Sequence, residues 1–158
     1  MRMGKVISEA GLEKLTASFK NQGKKVVLAG GCFDVLHPGH IAFLKNAKKE
    51  GDILVVILES DEKVTLLKGS NRPVQNQKER ALLLSSLIYV DYVLLLPFMK
   101  TEDEYDSLIK KIKPDVVVST KGDINSHLHQ RSAKKARAGF KFVTSMVGNY
   151  STTKILSR

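Results

Sequence analysis

The feature that most narrows the fold is an uninterrupted run of six apolar residues, Ile53–Leu58. A strand with one face in water alternates apolar and polar residues. A continuous run marks a strand buried on both faces, as in a parallel sheet covered by helices on each side. Lys25–Ala29, Tyr92–Leu96, Val116–Ser119 and Lys141–Thr144 read as further short strands. Amphipathic stretches separate them. Glu9–Lys20 carries Leu12, Leu15 and Phe19 on one helical face. Gly39–Glu50 and the short Glu62–Leu67 read as helices, and Gln77–Ile88 turns Ala81, Leu84, Leu87 and Ile88 inward. Tyr105, Leu108, Ile109 and Ile112 fall at helical spacing, and Ser126–Ala138 is a polar, basic helix. Strands alternating with helices of this length predict βαβ units. The expected fold is α/β, a doubly wound parallel sheet of about five strands with flanking helices. The 158 residues suit one domain, 1–158, with residues 1–23 forming an N-terminal helix and 24–156 the core.

Composition removes several function classes. Cys32 is the single cysteine, which excludes an internal disulfide and any multi-cysteine zinc or iron–sulfur site. No apolar run is long enough to cross a bilayer, and the start, MRMGKVISEAGLEKL, has no apolar core of signal-peptide length. The expectation is a cytoplasmic protein with no membrane partner. Lys and Arg number 26 against 16 Asp and Glu, a net charge of +10, so phosphate-bearing ligands are attracted. The positive clusters at Lys24–Lys25, Lys45–Lys49, Lys110–Lys113 and Arg131–Lys141 read as solvated helix faces. They lack the interleaved aromatics of a single-strand stacking platform, so a nucleic-acid partner is not expected.

In open parallel sheets the ligand lies beyond the carboxyl ends of the strands. The first segment in that position is GGCFDVLHPGH, Gly30–His40. Its glycines let backbone approach a ligand closely. Pro38 suits the first turn of a helix, and that helix start offers free N–H groups and a positive dipole end to an anion. His37 and His40, three residues apart, can reach one phosphate chain and stabilise charge that builds on it during phosphoryl transfer. On the residues alone, an ordinary tight loop with two incidental histidines remains open. So does a metal pair, although no third ligand is apparent.

The same segment resembles the signature G-x-F-D-x-x-H-x-G-H of the cytidylyltransferase-like nucleotidyltransferase family, matching Gly31, Phe33, Asp34, His37, Gly39 and His40. Two later segments follow in the family's order. RPVQNQKER, Arg72–Arg80, is similar to its arginine-bearing loop, and STTKI, Ser151–Ile155, to its closing S-[ST]-T-x-I motif. The resemblance spans about Lys24 to Leu156 and implies a Rossmann-like fold. It implies that Gly31, Cys32, Phe33 and Gly39 hold the nucleotide and that His37, His40 and Arg80 act on its phosphates. Asp34 would shape the acceptor side, and Ser151, Thr152 and Thr153 would contact the β- and γ-phosphates. The implied reaction is attack of a phosphate monoester on the α-phosphorus of a nucleoside triphosphate, with pyrophosphate leaving and Mg²⁺ accompanying the triphosphate. The partners are then the nucleotide and a phosphorylated small molecule, and relatives of this kind imply a possible homodimer. Taken singly, STTKI also reads as a plain helix cap, and Arg80 as a salt bridge with Glu79 or a neighbour.

Within the family, SDEKVTLLKGSNRPV, Ser60–Val74, and TKGD, Thr120–Asp123, resemble the heptose-phosphate adenylyltransferase branch, S-D-x-S-V-x-x-L-K-G-x-x-R-P-V and K-G-G-D-Y. Here Ile124 stands in place of that tyrosine and one glycine is missing. The glycerol-phosphate cytidylyltransferase branch carries R-T-E-G-[IV]-S-[ST]-T, and Met146–Thr153 has no arginine there. ATP as donor and a sugar phosphate such as D-glycero-β-D-manno-heptose 1-phosphate as acceptor are therefore expected. The alternatives are a CTP-using enzyme acting on glycerol 3-phosphate or a phosphocholine-type acceptor, and a nucleotide- or RNA-binding module without catalysis. Lys68, Arg72, Lys121 and Asp123 are candidates for acceptor or phosphate contact, against the simpler reading of solvated charges. Lys45, His127 and His129 read as surface residues. No metal ligands are expected from the protein.

Overall fold

The computed structural model describes residues 4–146 and 151–157. One six-stranded sheet organises them, with every adjacent pair parallel and strand order β1-β4-β3-β2-β5-β6. The strands are β1 (Lys5–Ile7), β2 (Val26–Gly31), β3 (Ile53–Leu58), β4 (Tyr92–Leu95), β5 (Val116–Lys121) and β6 (Gly139–Ser145). The helices are α1 (Glu9–Asn21), α2 (Pro38–Lys48), α3 (Asp61–Lys68), α4 (Gln77–Ser85), α5 (Glu102–Ile112), α6 (Ser126–Lys135) and α7 (Thr152–Leu156). The chain runs β2, β3, β4 in one direction and then returns to place β5 on the other side of β2. That reversal puts the switch point between β2 and β5, at the carboxyl ends where GGCFDVLHPGH begins.

Period-two alternation along the buried strands feeds two cores. Val26, Leu28, Ile53, Val55, Ile57 and Val117 pack against Leu12, Phe19, Leu108, Ile109 and Ala133 of α1, α5 and α6. Val27, Ala29, Leu54, Val56, Leu58 and Val93 pack against Phe43, Leu44, Ala47, Ala81 and Leu84 of α2 and α4. Each fully buried Val, Leu, Ile or Phe among them contributes about 1.5–3 kcal/mol relative to exposure. The helix starts are fixed locally. Ser8 and Ser60 accept from the N–H groups of Gly11 and Lys63, and Asn76 with Glu79 forms a capping box. Three aspartates secure the amino edge of the sheet. Asp52, Asp91 and Asp115 accept from the N–H groups of Lys25, Leu54 and Val26 at 2.7, 2.8 and 2.7 Å.

The sheet has six strands rather than about five, because Lys5–Ile7 adds as an edge strand beside β4. Three residues are too few to show a period. Helix α4 stops at Ser85, so Ile88 is 65% exposed rather than inward. Helix α6 stops at Lys135, short of Ala138, and Arg137 turns through φ 57° to enter β6.

Candidate active site

The phosphate-loop candidate leaves β2 at Gly31 and enters α2 at Pro38. Between them the backbone is held in an uncommon shape. Phe33 and Val35 lie at φ 46° and 54°, and for a β-branched residue that region is a true outlier. The surroundings impose it. Asp34, 1% exposed, accepts from Arg72 Nε at 2.6 Å, from the Val74 N–H at 2.9 Å and from the Gln75 N–H at 3.1 Å. Its backbone carbonyl accepts from the Thr152 hydroxyl at 2.6 Å. Val35 N–H donates to the Gln75 side chain. One residue therefore ties together the three motif segments, Gly30–His40, Arg72–Arg80 and Ser151–Ile155. Burial pushes the Asp34 carboxyl up, but the Val74 N–H, Arg72 and the Gln75 N–H outweigh it and hold the group ionised below its ordinary range.

His37 is the N-cap of α2, and its Nδ1 accepts from the Gly39 N–H at 3.1 Å. That bond places the ring proton on Nε2. The His37 and His40 rings stack with centroids 3.7 Å apart, and His40 also packs on Phe33 at 5.3 Å. Burial, with the adjacent His37, pushes His40 down to about 3, and burial lowers His37 as well. Both are neutral imidazoles at neutral pH, each with one N–H to donate. His40 Nδ1 is buried without a hydrogen-bond partner, an arrangement that calls for an explanation in a native fold. The helix N-terminus, its dipole and two stacked imidazoles converge on one side of the loop.

Arg80 makes an ion pair with a neighbour, Asp61, and not with Glu79. It is fully buried beneath the loop. Its guanidinium donates to the carbonyls of Gln75 (3.0 Å), Cys32 (2.5 Å) and Glu59 (2.9 Å) and to Asp61 (2.7 Å). Through these bonds it is a strut between the ends of β2, β3 and α3. Arg72 is likewise buried against Asp34. Lys68 and Lys121 are exposed at the ends of α3 and β5, and Asp123 accepts from the Asn125 N–H in a local turn. Ser151 caps α7 by accepting from the Lys154 N–H, Thr152 is buried and Thr153 is exposed. Cys32 keeps a protonated thiol, because burial and then Glu59 push it up. Val147–Tyr150, where the sequence departs from both branch patterns, lie outside the described residues.

Several site contacts escaped the sequence reading. Gln77 bridges the carboxyl ends of β3 and β4, donating to the carbonyls of Leu58 and Leu96. Tyr105, expected as core, reaches the Glu59 carboxylate. His129, expected at the surface, is half-buried with its Nδ1 3.1 Å from the Ser119 hydroxyl, whereas His127 is exposed.

The cytidylyltransferase-like family model matches residues 28–158, from β2 to the end of the chain. The chain belongs to this family. Among curated members, the bifunctional protein HldE of Haemophilus influenzae (strain PittEE) is 47% identical over 113 residues, 72% of this chain and 23% of that protein. HldE of Helicobacter pylori (strain Shi470) is 40% identical over 148 residues, 93% of this chain and 30% of that protein. The chain thus spans less than a third of these relatives' length. The lipopolysaccharide core biosynthesis protein from Thermoplasma volcanium GSS1 superimposes with a TM-score of 0.62 at 28% identity, covering 82% of this chain and all of that one. A pantoate–β-alanine ligase from Francisella tularensis shares the fold alone, at TM-score 0.63 and 16% identity over 98% of this chain and 76% of that one. Among the described residues no helix is long and apolar enough to cross a membrane.

Proposed function

We propose that this chain is a nucleotidyltransferase that transfers AMP from MgATP to a phosphorylated small molecule, a sugar phosphate such as D-glycero-β-D-manno-heptose 1-phosphate, and releases pyrophosphate. The observation that carries the reading is the convergence at Asp34. Its side chain holds the Arg72–Gln75 segment and its carbonyl holds Thr152, so all three family motifs meet around the stacked pair His37–His40. The choice of ATP and a sugar phosphate is supported by the heptose-branch pattern of Ser60–Val74, by the HldE relatives, and by the lipopolysaccharide-core protein of similar fold.

In the reaction an acceptor phosphate oxygen attacks the α-phosphorus. A P–O bond forms to the acceptor, the bond from the α-phosphorus to its bridging oxygen breaks, and that oxygen leaves with pyrophosphate. A phosphate monoester is already ionised at neutral pH, so no strong base is required, and catalysis is positioning plus neutralisation of charge. Neutral His37 and His40 donate N–H groups to phosphate oxygens, and the N-terminus of α2 adds its dipole. The residues do not fit a protein-built metal cage. Both Asp34 oxygens are engaged, and among the described residues no cluster of three His, Cys, Asp or Glu could hold an ion. Mg²⁺ would enter with the triphosphate and supply neutralisation of its charge.

The test is pyrophosphate release with ATP and with CTP, each against heptose 1-phosphate, glycerol 3-phosphate, phosphocholine, flavin mononucleotide and pantetheine phosphate. Release with ATP and the sugar phosphate is expected, and His40→Ala abolishes it while leaving the melting temperature near that of the wild type. Release with CTP alone replaces the donor assignment. Full activity in His40→Ala removes the mechanism.

A further inference from the structure

The carboxyl ends of three adjacent strands carry a row of polar groups that the phosphate chemistry does not use. Alternation fixes their direction. Val117, Leu28 and Ile57 face the core covered by α5 and α6. Two residues on, Ser119 and Glu59 must therefore face those helices, and each meets one there. Ser119 meets His129 of α6 at 3.1 Å, and Glu59 meets Tyr105 of α5, whose phenol donates to the two carboxylate oxygens at 3.0 and 2.9 Å. Cys32 follows directly on β2, the strand between β3 and β5. Lys63 donates to the Met99 carbonyl at 3.1 Å and lies over the Tyr105 ring at 5.4 Å.

This row differs in character from the loop beside it. Its acceptor is the Glu59 carboxylate, which burial pushes up against the opposing pull of the Tyr105 hydrogen bond and Lys63, with Glu102 adding on the side of burial. A carboxylate has about four lone-pair sites, and one phenol proton fills one of them. The remainder accept from ligand hydroxyls, and vicinal hydroxyls match the two-oxygen geometry. We infer that Glu59, oriented by Tyr105, is the specificity-determining residue of the acceptor side, accepting from the hydroxyls of a polyhydroxylated phosphate monoester whose phosphate lies at the His37–His40 loop. This rests on the nucleotidyltransferase reading above. A pair that merely fastened α5 to β3 would affect stability and leave acceptor choice alone.

The test measures binding by calorimetry, with a non-hydrolysable ATP analogue present, of a sugar 1-phosphate and of propyl phosphate, which lacks hydroxyls. Wild type is expected to prefer the sugar phosphate. Glu59→Gln is expected to bind the ATP analogue within about twofold of wild type and to lose roughly ten- to a hundredfold in sugar-phosphate affinity, with propyl phosphate unchanged, the size of a lost charged hydrogen-bond pair. Tyr105→Phe, which keeps the carboxylate, is expected to lose about three- to tenfold and serves if Glu59→Gln does not fold. Equal losses for both phosphates, unchanged sugar-phosphate binding in the variants, or no wild-type preference overturns the inference. Preference and loss as expected, without pyrophosphate release from any nucleoside triphosphate, leaves it standing and overturns the reaction instead.

Discussion

Replacing Asp34 by Asn removes one charge and one acceptor from a site closed off from bulk solvent. The carboxylate is 1% exposed, and Arg72, its partner at 2.6 Å, is 9% exposed. Asn keeps one acceptor oxygen for the Val74 and Gln75 N–H groups and turns an NH₂ toward another donor. Arg72 is left as a buried, uncompensated cation. Removing one partner of a buried pair costs about 3–5 kcal/mol. For a domain of this size each kcal/mol moves the melting temperature by about 2–4 °C, so a fall of roughly 6–20 °C is expected by circular dichroism. The charge also predicts a pH dependence. The folded Asp34 value lies below its unfolded one, so its stabilisation is complete above the unfolded value of about 4. It is lost as pH falls through the lower folded value, and Asp34→Asn lacks this component. Pairing Asp34→Leu with Arg72→Met is expected to recover part of the loss, because the desolvation of both charges disappears together. A melting temperature for Asp34→Asn within 2 °C or so of the wild type refutes the reasoning.

His40 supplies linkage of the same sign over a different range, because burial there disfavours the charged form instead of stabilising it. Its folded value of about 3 lies below an unfolded value of about 6.5, so only the unfolded chain takes up the proton as pH falls. Between pH 8 and 5 this costs about 2 kcal/mol of stability, and urea titrations of His40→Gln are expected to lack that share; an equally steep profile in the variant contradicts it. Arg80→Lys leaves carbonyls of Gln75, Cys32 and Glu59 short of donors and is expected to lower stability by about 3 kcal/mol or more, with KM for ATP nearly unchanged at a temperature where the variant is folded. A raised KM with an unshifted melting curve returns Arg80 to the phosphates.

What was legible in the sequence follows from how local each signal is. The buried strands announce themselves, because residues covered on both faces leave no polar positions. Strand β1 does not, since three edge residues carry no period and gain their place only by pairing with β4. The loop Gly30–His40 was readable because its histidines, glycines and proline act within one turn of each other. The burial of Arg80 was readable too. It stands four residues before Leu84, on the inward stripe of α4, although its ion-pair partner Asp61 lies in another helix. Glu59 shows the same lesson in a strand. It continues the alternation of Val55 and Ile57 one step beyond the apolar run, which directs a carboxylate toward α5. Tyr105 was placed on the correct helical face, but periodicity reports which side a residue faces and not whether its tip is polar. Contacts such as Gln77 on Leu58 and Leu96, or Thr152 on Asp34, join residues 19 and 118 positions apart. The site is therefore assembled from segments whose types are readable singly and whose partners are fixed only when the sheet brings the strand ends together.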